Sequence, residues 1–213
     1  MLKRFLIVFS VLIFAFGILF TSVLRTASVK YSFSGVASLP SEKGQVLGES
    51  QEKVIDYYLP YEGKVLPDHP LWQVKAFRDR LWLLLTTNSG KKADLKLLFA
   101  DKRLSSAKVL FERNKAEVAF STLSKAEKYL EEAYFQEEES RMKGDDTAEF
   151  LQRLTKASLK HREVINEILE IAPHSARPEI VKIEDYSKNV FEKCMQALQE
   201  KGLEVPENPF DSQ

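Results

Sequence analysis

KKADLKLLFADKRLSSAKVLFERNKAEVAFSTLSKAEKYLEEAY, running from Lys91 to Tyr134, is the stretch that decides the fold. As far as Glu112, apolar residues recur at helical spacing on two sides. Leu95, Leu98, Phe99 and Val109 make one side; Leu97, Ala100, Leu104, Ala107 and Phe111 make the other. A helix with two apolar sides takes a central position. Asn114-Lys115 is too short a connection for anything but an antiparallel neighbour, which follows with Ala116, Ala119, Phe120, Leu123, Ala126, Leu130, Ala133 and Tyr134 on one stripe. Alanines alternating with large residues allow the two helices to approach closely.

The same period continues downstream. After Gly144, Asp146 and Glu149 form a capping-box-like pair opening a helix with Leu151, Leu154, Ile165, Ile168 and Leu169, which ends at Pro173. Pro178 opens the next, bearing Ile180, Ile183, Val190, Phe191, Cys194 and Leu198, and Gly202 closes it. Upstream, a helix is expected from His69 to Thr87, ended by Asn88-Ser89-Gly90. Its stripe is Leu71, Val74, Phe77, Leu81, Leu84 and Leu85, widened by Trp72, Trp82 and Leu83, so it is expected to pack against more than one neighbour. Asp68 is placed to cap it, with Pro70 in the first turn. The expected fold class is all-α: an up-and-down bundle of about five antiparallel helices.

Before the first helix runs a segment of another kind, Tyr57-Tyr58-Leu59-Pro60-Tyr61-Glu62-Gly63-Lys64-Val65-Leu66-Pro67-Asp68-His69-Pro70-Leu71-Trp72. Its prolines impose extended or turn geometry on themselves and on the residues before them. Tyr57, Tyr58, Leu59, Tyr61 and Leu66 are expected to fill grooves between helices; the functional alternative is a strip of tyrosines that binds a peptide or ligand.

The patterns Leu59-Pro60-Tyr61-x-Gly63 and Leu66-Pro67-Asp68-x-Pro70-Leu71 resemble a family of bacterial proteins carrying an uncharacterised domain, described in many uncultured small-genome bacteria. Arg78-Asp79, Ala100-Asp101-Lys102-Arg103-Leu104 and Ser124-Lys125-Ala126-Glu127-Lys128-Tyr129-Leu130 carry the resemblance on to about Tyr134. It implies a secreted or membrane-anchored helical protein with no known enzyme activity, and it supplies no functional residue.

At the amino terminus, twenty uncharged residues from Phe5 to Leu24 follow Lys3-Arg4. As a helix they would be roughly 30 Å long, enough to cross the hydrocarbon core. A cleaved signal peptide has a shorter apolar region, and a cut behind Ala27 would place Arg25 where a small residue is needed, so a retained anchor is the expected state and secretion after cleavage the alternative. Lys3 and Arg4 face Arg25 and Lys30 across the stretch, which nearly balances the positive-inside count; the short leading tail favours an exported carboxy-terminal domain. The chain thus divides into an anchor (1–25), a flexible tether (26–56), a helical domain (57–204) and a disordered tail (205–213). The tether would span roughly 30 Å root-mean-square.

The chain has 31 basic and 31 acidic residues, and all four charges within residues 1–30 are basic; the remainder therefore has 27 against 31, a net charge of −4. No basic stripe announces a nucleic-acid partner, and none is expected. Cys194 is the only cysteine, so no intrachain disulfide forms, and its place on an apolar stripe reads as an inert thiol. Glu137-Glu138-Glu139 point in three directions on a helix and do not converge on one ion. His69, His161 and His174 have no ligand partner at zinc spacing; His161, facing the same way as Leu154, Ser158 and Ile165, reads as partly buried with one hydrogen bond.

Phosphate loops, nucleophile elbows and paired-cysteine motifs are absent, and eight glycines leave little material for cofactor-cradling loops. No catalytic residue, cofactor or metal is expected. The function expected is that of a non-enzymatic module, anchored by one pass in the cytoplasmic membrane and working outside it by protein contacts, self-association or as a structural part of the envelope. Its candidate interaction surface is a groove lined by Tyr57, Tyr61, Trp72 and Trp82. The alternative is an extracytoplasmic domain that senses a small ligand or a metal.

Overall fold

Alanines at every seventh position draw two helices together at the centre of the molecule. The computed structural model describes residues 55–210; the apolar stretch Phe5–Leu24, the tether as far as residue 54 and residues 211–213 lie outside the described residues. Five helices follow in order: α1 (Trp72–Leu85), α2 (Ser89–Glu112), α3 (Ala116–Met142), α4 (Ala148–Ile171) and α5 (Arg177–Glu200). No strand occurs among the described residues. Ala93, Ala100 and Ala107 on α2 and Ala119, Ala126 and Ala133 on α3 are all buried, and this pair makes the most extensive contact in the molecule. With only a methyl at these positions the backbones come close, and Leu104, Leu110, Leu123 and Leu130 of the same two helices are fully buried.

The turn between them works because Asn114 adopts a left-handed conformation, φ +58°, which asparagine tolerates better than most residues. The amides of Asn114 and Lys115 then bond back to the Phe111 and Leu110 carbonyls, satisfying the end of α2. Helices α4 and α5 form a second hairpin against the first, α4 beside α2 and α5 beside α3. The capping box expected at Asp146 and Glu149 does not form. Thr147 is the N-cap residue, and Asp146 Oδ1 accepts the Ala148 amide in a local turn instead. Pro178 does stand in the first turn of α5, and Gly202 follows the helix at φ +66°.

The apolar interior is in two parts. One joins the carboxy-terminal halves of α2 and α4 with the amino-terminal halves of α3 and α5, around Leu104, Leu123, Ile165 and Ile180. The other joins the opposite halves, around Ala100, Leu130, Leu154 and Leu198. Between them each helix supplies buried polar groups: Asp101, Glu127, Ser158 with His161, and Glu184 with Ser187.

Residues 55–70 run along this bundle. Tyr57 and Leu59 lie against its core and Leu66 is buried, but Tyr58 and Tyr61 face solvent rather than filling grooves. Alternate side chains of an extended segment point in opposite directions, so the whole set cannot be buried against one surface. Asp68 does not cap α1; its carboxylate is 2.6 Å from Lys115 Nζ, and that bond holds its pKa below the usual carboxylate range. The N-cap of α1 is Leu71, whose amide is accepted by His69 Nδ1. At the other end, the segment expected to be disordered from residue 205 lies against the bundle to residue 210: Leu203 and Val205 pack on the core, and the Arg162 guanidinium stacks on Phe210.

Helix α1 overturns the expectation of several neighbours. Among the described helices it contacts α2 alone, burying Asp79 and partly covering Trp72, Lys75, Ala76 and Leu83. Leu71, Val74, Leu81, Leu84 and Leu85 are exposed, Leu84 by 77%. The more apolar face of this helix is thus the outer one. The bundle is complete without α1, and the side of α2 left to it is occupied by Arg103, whose charge selects Asp79 and the aromatic rings rather than the leucines.

Candidate interaction surface

Arg103 organises the contact between α1 and the bundle. Its buried guanidinium lies over the rings of Tyr129, Phe99 and Trp72, at 4.5, 5.6 and 5.8 Å from their centroids. Trp82 meets Phe99 edge to face at 6.3 Å. Lys75 donates to the Glu62 and Val65 carbonyls and lies over Trp72, fastening the extended segment to α1. Asp79, buried, accepts from Arg78. The groove between Trp72 and Trp82 has a volume of about 30 Å³, room for little more than a water molecule.

Of the four residues expected to form the interaction surface, Trp72 and Trp82 line this groove together. Tyr57 does not join them. It lines a separate open cleft of about 590 Å³ at the side of α4, with Tyr58, Arg153, Lys156 and Glu204 among its walls. Tyr61 is exposed and lines neither. What Trp82 does border is the outward leucine face of α1.

The sequence reading missed a chain of buried polar groups. Tyr57 Oη donates to Asp101 Oδ2 at 2.7 Å; Asp101 Oδ1 lies 3.1 Å from His161 Nε2; His161 Nδ1 lies 2.6 Å from Glu127 Oε1. His161 is fully buried with two partners, not partly buried with one. Burial alone would lower its pKa, but the Glu127 and Asp101 carboxylates outweigh it and raise the value to about 9. At neutral pH the ring is an imidazolium that donates on both sides. Because the two carboxylates sit on opposite edges of that ring, the three groups do not converge on one metal ion. The signal was present in register: Asp101 and Glu127 fall on helix faces otherwise given to Ala100, Leu104, Leu123 and Leu130, where an unpartnered carboxylate is not tolerated.

The remaining candidates separate in space. Glu137 is buried and accepts from Arg141 and Thr147, whereas Glu139 pairs with Lys143. Cys194 is buried in the core, and desolvation pushes its thiol well above the ordinary range. His69 and His174 are exposed. No group of three or more His, Cys, Asp or Glu side chains among the described residues is arranged to hold a metal.

A family profile described as Domain of unknown function (DUF5667) matches residues 64–175, more than half of the chain. The chain belongs to the DUF5667 family. The DUF5667 match takes in α1 to α4, and with them the Arg103 contact and all three members of the Asp101–His161–Glu127 group. Tyr57 and α5 lie outside it. No curated protein and no solved structure gives a significant match to the chain.

Proposed function

We propose that this DUF5667 protein is a non-enzymatic module of the cell envelope, anchored by Phe5–Leu24 in the cytoplasmic membrane and working outside it through surface contacts. The observation that carries the reading is the orientation of α1: a bundle with its own closed core displays an added helix with the leucine side outward. Soluble proteins seldom leave such a ridge uncovered unless something binds it. The histidine of the buried polar chain has no exposed surface among the described residues, and this favours a structural role over chemistry. No helix among the described residues is long and apolar enough to cross a membrane, so membrane attachment rests on the amino-terminal stretch.

The test is a carboxy-terminal fusion, in a bacterial host, to reporters active on one side of the membrane only, with fractionation in parallel. The expected product is exported and retained in the membrane fraction. A cytoplasmic carboxy terminus would overturn the topology and move the search for partners inside the cell. A second reading, small-ligand binding, is favoured by the cleft beside Tyr57, where Arg153 and Lys156 face Glu149 and Glu204. A ligand-dependent rise in melting temperature, abolished by Arg153→Ala, would establish it.

A further inference from the structure

The outer face of α1 combines two features. Leu71, Val74, Leu81, Leu84 and Leu85 make an apolar ridge with Trp82 at its border. Arg78 and Arg80 of α1 are exposed with it, Arg78 on the ridge itself, and behind them come Lys75, held by the Glu62 and Val65 carbonyls, and Lys102, Arg103 and Lys125 of the bundle. These cations crowd one another. Partial desolvation, then repulsion from Arg103, Arg80 and Lys128, holds Lys125 below its ordinary pKa; Lys75 is lowered by desolvation and by Lys102, Arg78 and Arg103. Asp79 is the one carboxylate among the groups acting most strongly on Lys75, Arg103 and Lys125, and it is already buried against Arg78. In a chain with no net charge, this is a local basic field around an apolar ridge.

We infer that α1 is a membrane-surface helix, seating its leucine ridge at the headgroup boundary of a bilayer containing anionic lipid while Arg78 and Arg80 meet the phosphates. The inference rests on the anchored reading proposed above, in which Phe5–Leu24 holds the chain at the same bilayer. A helix of this kind has Trp and Leu on one side and Lys or Arg along its edges, and it lies in the interface plane. A second copy of the chain is the competing occupant. A symmetric pair ridge to ridge would set Arg78 and Arg80 against their own counterparts, whereas anionic headgroups neutralise them. Seated in this way, α1 would fix the orientation of the bundle at the bilayer surface.

Both tryptophans of the chain lie in α1, which makes the test direct. Full-length protein is reconstituted into phosphatidylcholine vesicles with or without phosphatidylglycerol, using brominated acyl chains that quench tryptophan on contact. Wild type is measured first, then Trp72→Phe, which leaves Trp82 as sole reporter. Loss of about half of the Trp82 emission is expected in the anionic vesicles, with much less in phosphatidylcholine alone or at high salt. Leu84→Asp should abolish it without changing the helical signal, because that side chain is exposed. Protein that floats with the vesicles but shows no quenching would overturn the inference and leave the anchored reading intact. Crosslinked dimers with Trp82 dark to lipid would overturn it in favour of self-association. Failure to float at all would overturn the anchored reading, and this inference with it.

Discussion

Between Glu127 and Asp101, His161 keeps its proton well past neutrality, and folding is thereby tied to pH. Its folded-state pKa is raised from 6.5 to about 9, so the folded protein holds a proton that the unfolded chain releases. The contribution is complete below pH 6.5, falls through the interval and is gone above about 9. Its size is on the order of 3 kcal/mol, at about 1.4 kcal/mol for each unit. Urea midpoints followed from neutral to alkaline pH should therefore decline in wild type. His161→Leu should flatten that decline and lower stability by about 3–5 kcal/mol, since it leaves two carboxylates buried without a cation between them. A wild-type profile without slope across the interval would remove the imidazolium from the account. A spacing argument on α4 alone could not have found this arrangement, because the partners of His161 come from α2 and α3 at separations of 60 and 34 residues.

Elements α2 to α5 are legible because each carries an apolar stripe at helical spacing that turns inward. Every residue assigned to the stripe of α5, from Ile180 to Leu198, is buried. The alanines at seven-residue spacing on α2 and α3 have a steric consequence. Ala126 is fully buried in the core, and Ala126→Leu should cost about 1–3 kcal/mol in thermal unfolding by overpacking it. An unchanged melting temperature would mean that the helices stand further apart than described. Helix α1 was located correctly by its period but oriented wrongly. Its leucines outnumber the groups on its other face, and the rule that apolar faces turn inward fails when the available docking surface is an arginine set among aromatic rings. The decisive information lay on α2, at Arg103, outside the helix being read. Asp68 was misassigned for a related reason: the competing partner, Lys115, is 47 residues away.

At the scale of the whole molecule, the described residues form a four-helix body with a fifth helix held by one neighbouring helix and by the extended segment at Lys75. Their stabilities should differ accordingly. Helix α1 lacks a side-chain cap and buries few apolar groups, so its amides should exchange with solvent orders of magnitude faster than those of α3, whose interior face is closed on every side. Hydrogen exchange read by mass spectrometry checks this in the full chain; equal protection would make α1 part of the cooperative core. The polar layer between the two apolar parts was not legible from any one helix, since it exists only when four registers are aligned. Cys194 lies in one of those parts, enclosed on α5 and the sole thiol of the chain. A thiol-modifying reagent can therefore reach it only when the bundle itself opens. The labelling rate at Cys194 is a built-in clock for global unfolding, insensitive to the detachment of α1.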